Sequence, residues 1–314
     1  MASVADHAIN RSGERSGPRG FRAWFLRSEN ARGYALMGPT LAIMFIALAA
    51  PLILLTLYSF WTQEGFTVNT SFTLSRYLDI FVNETSENRL FWTLFQRSVS
   101  ISGVVTLVTV LLAYPIAYYV AFHVTKHKFI WLILLTIPFW TSYLLRVFAW
   151  KIILGYQGVI NSGLMSLGVI DAPLEFLLYN PTSIVITLAH AWAAFAILPI
   201  YVSLEKIDRT LLEAAADLGD GPWRRFWRIT FPLSMPGVIS AAVLIFVPTT
   251  GDYVTPELVG GTQGKMLANL IQVQFGKSND WPLGAALALS SLAFVGLIVV
   301  FTVAAFRSAV SRVR

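Results

Sequence analysis

The chain contains no cysteine, which removes disulfide frameworks, thiolate metal sites and cysteine nucleophiles. It is also poor in charge. Asp, Glu, Lys and Arg make up 13% of its residues, against roughly 25% in soluble domains. So little polar surface cannot solvate 314 residues that are 56% hydrophobic with a mean hydropathy of +0.64. Lipid is the implied solvent. Histidine is scarce as well: His7 lies near the N-terminus, His123 and His127 flank a basic turn, and only His190 falls within an apolar run. No apolar run holds a carboxylate pair or a histidine cluster. Intramembrane hydrolysis and metal chemistry therefore have little to work with, and neither catalytic residues nor a metal site are expected. The net charge of +6 does not point to nucleic acid, because the basic residues sit in short clusters beside apolar runs rather than on a continuous face.

What is present is a series of six apolar runs, each long enough to cross the hydrocarbon core as a helix. They cover residues 34–61, 94–122, 129–154, 183–204, 233–254 and 283–306. Barrel strands are disfavoured, since the runs lack ten-residue alternation. The predicted fold class is an all-α integral membrane protein with six transmembrane helices. Sixteen Lys and Arg lie in the two tails and the loops after runs two and four, and four lie in the remaining connections. The positive-inside rule therefore predicts cytoplasmic termini. Residues 1–30, rich in Ser, Gly and Arg, are expected to form a flexible cytoplasmic tail, with residues 31–314 as the transmembrane domain. The outer connection at 62–93 is long and mildly acidic, and loops of that length usually pack or act. Pro51, Pro115, Pro138, Pro199 and Pro248 fall inside the runs. Each alone is an ordinary transmembrane proline; together they suit a bundle that opens and closes.

Two features invite a chemical reading. "GGTQGKM" at Gly260–Met266 looks like a phosphate loop, but the first required glycine would be Val259 and Met266 replaces Ser or Thr. Its glycines are expected to shape an outer loop instead. The second feature is charge inside the membrane. Arg146 and Lys151 lie toward the outer end of run three, and Asp252 and Glu257 at similar depth at the end of run five. Opposite charges at one depth most simply pair. The other reading is a solute pathway in which Asp252 or Glu257 meets a cationic group, lined by Trp140, Tyr143, Trp192 and Phe195 through cation–π contact, with Tyr253 a further candidate. His190 is a further pathway candidate, although a lone intramembrane histidine is more often a helix-packing residue.

The segment between runs four and five, residues 205–232, is unlike the rest. In "IDRTLLEAAADLG", Asp208 suits an N-cap and Gly219 the position past a helix end. Leu211, Ala215 and Leu218 share one face, and Glu213 with Asp217 forms an acidic edge. Pro222 suits a new helix start, and "WRRFWR" has the composition of a membrane-surface belt. The plain reading is an amphipathic interfacial helix. Its spacing goes further: Glu213-Ala214-Ala215, three residues, Gly219, nine residues, Ile229, one residue, then Phe231-Pro232. This resembles the EAA signature of permease subunits in binding-protein-dependent, type I ABC importers, with Phe231 where Leu is usual. Within that family the chain looks most like spermidine/putrescine-type permeases. The matching stretches are "PFWTSYLLR" with Lys151 beyond it, "GVIDAPLEFL", "LEKIDRTLLEAAADLG", "PLSMPG" and "VQFGKSNDWPLGAAL".

The resemblance implies a multi-pass subunit of the bacterial inner membrane that performs no chemistry itself. It implies a second permease of different sequence, a cytoplasmic ATPase dimer that binds ATP and Mg, and an extracytoplasmic solute-binding protein. No cofactor is expected on this chain. Glu213, Ala214, Ala215, Asp217, Gly219, Ile229 and Pro232 would serve ATPase coupling. The implied solute is a polyamine-like cation. Arg146 and Lys151 pull the other way unless they are paired or off the route, or the solute carries a carboxylate, as an opine does. A secondary transporter is the alternative from another class, and it leaves the 205–232 motif without a purpose.

Overall fold

The computed structural model describes residues 29–65 and 67–311. The tail expected at 1–30 therefore lies almost wholly outside the described residues. Six helical segments are long and apolar enough to span a bilayer: Gly33–Ser59, Ser86–Phe122, Tyr143–Ser166, Pro181–Glu205, Pro222–Thr250 and Trp281–Phe306. The chain divides into two units after Leu54, the first holding most of helix α1 (Glu29–Ser59) and the second everything from Leu55 onward.

In the second unit a short hairpin, β1 (Thr62–Glu64) with β2 (Thr67–Asn69), leads to α2 (Ser75–Phe81) and then α3 (Ser86–Phe122). Helix α3 begins eight residues before the apolar run does, because Thr85 caps it by accepting from the Asn88 N–H at 3.1 Å. The 62–93 connection packs rather than hangs free. Ile80 and Phe91 are fully buried, with Phe81, Trp92 and Phe95 close by and Phe294 among them. Arg76 pairs with Asp280 at 2.9 Å, and the Gln63 amide donates to the Asn279 carbonyl while accepting from the Trp281 N–H.

Run three is not the single helix expected over 129–154. It folds as α4 (Lys128–Thr136), a 3₁₀ turn (Ile137–Trp140), α5 (Tyr143–Leu154) and α6 (Val159–Ser166). Pro138 brings no N–H, Thr141 and Ser142 are extended, and the Thr141 hydroxyl donates to the Pro138 carbonyl at 2.8 Å. A proline that could have kinked the helix instead divides it.

The core is a three-helix contact of α3, α7 (Pro181–Glu205) and α10 (Phe231–Thr250). Small residues permit close approach in a bilayer: Ala113, Ala117 and Ala121 on α3, Ala196 on α7 and Ala241 on α10 are buried among Val105, Leu188, Ile200 and Ile245. Between α7 and α10 lie α8 (Arg209–Asp217), a short α9 (Pro222–Arg225) and a π turn (Phe226–Thr230). After α10 come α11 (Val254–Val259), α12 (Leu267–Gly276) and α13 (Trp281–Ser311). The glycines of 260–264 form a tight turn against Tyr179: a β-carbon on Gly261, where φ is +60°, would stand 2.3 Å from the Tyr179 carbonyl oxygen. This is a loop-shaping role, as expected.

Candidate docking helix and solute cavity

Helix α8 forms because both ends are closed locally. The Asp208 carboxylate accepts from the Thr210 N–H at 2.9 Å, and these hydrogen bonds hold its pKa below the ordinary 3.8. The cap is thus charged above the carboxylate range and is lost only as pH falls through that lowered value. At the other end Gly219 takes φ +86°. Its N–H bonds to the Ala216 carbonyl, and that of Asp220 to the Ala215 carbonyl, both at 2.9 Å, which is a Schellman motif.

Exposure then sorts the helix faces. Ala215 is 8% exposed and Leu212 half-buried, so these two face the chain itself. Glu213, Ala214 and Asp217 are exposed, and Leu218 is 88% exposed. Among the described residues neither Glu213 nor Asp217 has an ion-pair partner. The predicted acidic edge is therefore present and free. Ala215 departs from expectation. It lies on the inner face, buried against the chain itself, and its carbonyl accepts from the Asp220 N–H just past the helix end.

A cavity of about 330 Å³ lies where α5, α7 and the end of α10 meet. Tyr143, Arg146, Trp192, Asp252 and Tyr253 line it together with Phe139, Pro248 and Gly251. Gly251 and Tyr253 also line a second cavity of about 620 Å³ toward α12 and α13. The Tyr143 hydroxyl donates to Asp252 Oδ2 at 2.6 Å and stands 2.6 Å from Thr255 Oγ1, tying α5 to the turn before α11. Asp252 Oδ1 accepts from the Val254 N–H at 3.0 Å. Arg146 donates to the Ala191 carbonyl at 2.8 Å and lies over the Phe139 and Tyr143 rings at 5.8 and 5.9 Å. Its buried Nε, like the buried indole nitrogen of Trp192, has no hydrogen-bond partner among the described residues.

Comparison with known proteins gives the family and the fold. The family model for "binding-protein-dependent transport system inner membrane component" matches residues 39–313. The chain belongs to this family. The spermidine/putrescine transport system permease protein PotB of Haemophilus influenzae is 32% identical over 265 residues, 83% of this chain and 90% of that protein. PotB of Escherichia coli is 34% identical over 257 residues, 82% of this chain and 90% of that protein. A crystal structure of a bacterial ABC transporter involved in alginate import superposes with a TM-score of 0.68 at 17% identity, covering 91% of this chain and 99% of that one. The fold is thus that of ABC importer permeases. This permease is a multi-pass inner-membrane transport subunit rather than an enzyme, and it belongs to a system that depends on a binding protein.

The ion pairs expected inside the permease do not form. Asp252 is held by Tyr143, Arg146 by a backbone carbonyl, and Glu257 lies 3.9 Å from Lys265. Lys151 has no ion pair among the described residues. Arg146 and Asp252 line one cavity, yet each is held by a nearer hydrogen-bond partner on another element. Four pathway candidates fall outside the first cavity: Phe195, whose ring packs behind its wall at 4.8 Å from Phe139 and 5.3 Å from Trp192, and Trp140, His190 and Glu257. Trp140 is 85% exposed at the end of the 3₁₀ turn. His190 accepts from the Trp150 indole N–H at 3.1 Å, a helix-packing contact between α5 and α7. Glu257 accepts weakly from Asn269 at 3.5 Å. The sequence reading missed Phe139, Pro248 and Gly251 in the cavity wall. The Pro-Phe and Pro-x-x-Gly pairings at the two helix breaks were the available signals.

Proposed function

We propose that this permease moves a small cationic solute, of the putrescine/spermidine class, from an extracytoplasmic binding protein into the cytoplasm. The observation that carries the solute class is the 32–34% identity, over more than four-fifths of the chain, to spermidine/putrescine permeases. Asp252 supplies a carboxylate in a cavity lined by Tyr143, Trp192 and Tyr253, a setting suited to an ammonium group. The termini lie in the cytoplasm, as the distribution of Lys and Arg favours. The assembly adds a second, different permease and two copies of an ATPase that carries the ATP and Mg; this chain needs no cofactor. The ATPase receives α8 through Glu213, Ala214, Asp217 and Leu218. Gly219 ends that helix, and Ile229 and Pro232 lead into α10. Closure of the ATPase dimer then drives alternating access.

A second solute reading has its own support. Arg146 places a guanidinium in the same cavity, which favours a solute bearing a carboxylate beside its amine. Uptake by the reconstituted importer, with its binding protein, separates the two. ATP-dependent accumulation of labelled putrescine, competed by spermidine but not by opine-type amino acids, is expected. Competition by the carboxylated compounds alone would transfer the assignment to them, and accumulation driven by an ion gradient without ATP would overturn the importer mechanism.

A further inference from the structure

We infer that Phe226 is a positioning residue through which movement of α8 reaches the membrane-spanning helices, beside the direct Arg209 contact to the Ala121 carbonyl of α3 at 3.4 Å, with the π turn as the joint built around it. This rests on the reading of α8 as the docking helix and concerns what lies behind it.

Two arginines strap α8 to the segment that follows. Arg225 Nη1 donates to the Leu212 carbonyl of α8 at 3.3 Å. Arg228 pairs with Asp220 at 3.1 Å across the turn that ends α8. With the Schellman closure at Gly219, these contacts leave little freedom between α8 and α9, so a push on one is a push on both.

Phe226 is the first residue beyond α9. Its ring lies 5.2 to 6.2 Å from those of Trp223, Trp227 and Phe231 on its own segment. It also lies 5.8 and 6.1 Å from Tyr114 and Tyr118 on α3. Trp223 and Trp227 are exposed, and their ring contacts stay within the segment. Phe226 is therefore the ring of α9 and the π turn with the most bridging contacts to a second spanning helix.

The π turn explains how Phe226 reaches α3. Pro232 brings no N–H, so the regular ladder is interrupted at the entry to α10. The Phe231 N–H bonds to the Phe226 carbonyl, five residues back. The extra residue turns the helix face, so that Phe226 and Phe231 both meet Tyr114. The Tyr114 hydroxyl in turn lies 2.9 Å from Ser234 Oγ, which donates to the Phe231 carbonyl at 2.9 Å. Tyr114 precedes Pro115, which lies inside α3, and Ser234 stands between Pro232 and Pro236. The contact thus joins α3 and α10 where both ladders are weakest and bending costs least.

The absence of native cysteine allows a single reporter thiol. Val247→Cys places one at the far end of α10, on an exposed position. The full importer complex is purified, and maleimide labelling rates are compared between the nucleotide-free and ATP–vanadate-trapped states. In the Val247→Cys parent the two rates should differ. Adding Phe226→Ala should leave the ATPase subunit bound and hydrolysing while the rate ratio falls about two- to thirty-fold toward unity, the span of coupling energies carried by single side chains. Phe226→Tyr should restore it, and Trp223→Ala should not alter it. A merely structural ring would lower stability without moving that ratio. An unchanged ratio in Phe226→Ala, or an equal fall in Trp223→Ala, would overturn the inference. If Phe226→Ala does not assemble, Tyr118→Leu removes the ring on the α3 side; the same fall is expected, and an unchanged ratio refutes the bridge. A parent complex that retains no ATPase subunit would instead refute the docking role of α8.

Discussion

Gly237 shows how much one hydrogen atom in place of a side chain can decide. It lies one residue after Pro236 on α10, against α7 at Pro199. A β-carbon there would stand 2.4 Å from the Pro199 carbonyl oxygen and 2.6 Å from the Ser203 hydroxyl. The carbonyl belongs to a helix backbone and cannot turn aside. Gly237→Ala is therefore expected to destabilise the α7–α10 contact by about 1–3 kcal/mol, the usual cost of overpacking, and to lower the melting temperature of the purified permease. Gly103 is a fair control. Its β-carbon would meet nothing within 4 Å, so Gly103→Ala should leave that temperature unchanged or raise it slightly. Equal melting temperatures for the parent and Gly237→Ala would show that the crossing is looser than described.

Helix α8 was legible in advance because its signals are local. Asp208, Gly219 and Pro222 each act within four residues, and all three occupy the cap, exit and restart positions the sequence predicts. Gly219→Val puts a branched side chain at φ +86° and should cost about 1–3 kcal/mol of local strain. The last turn of α8 should then fray, and less ATPase should co-purify with the permease; Gly221→Ser, at an ordinary N-cap with φ −67°, should not reduce it. Co-purification unchanged in Gly219→Val would separate docking from the helix end. Elsewhere the sequence was less informative. That Pro138 breaks a helix rather than bending it depends on Thr141 and Ser142 turning extended, which no propensity rule requires. The pairing of Arg146 and Asp252 failed because depth says nothing about which hydroxyl or carbonyl lies within reach. Tyr143 was named as a pathway aromatic, yet its hydroxyl is what holds the carboxylate. The motif that includes Ala215 fixes spacing along the chain and does not say which side of a short helix faces inward.

Across the permease, the proline-bearing stretches of three core helices meet near the same loop. Pro199 on α7 touches Gly237 beside Pro236 on α10, and Tyr114 beside Pro115 on α3 reaches Ser234. Each proline leaves a helix ladder incomplete, and together they mark the layer in which the core gives way most readily. Toward the other end of α10 lies the cavity of Asp252 and Arg146. On the proposed reading the arrangement is that of a lever: the 205–232 segment at one end, a yielding layer next to it, and the candidate solute cavity beyond. Such a device works only if the partner's push enters through the free acidic edge of α8. Reconstitution of the complete importer carrying Glu213→Lys, with solute-stimulated ATP hydrolysis and uptake measured side by side, tests this. Insertion and assembly of the spanning helices should match the parent, while uptake and stimulated hydrolysis are lost. Both activities persisting at parental levels would contradict it.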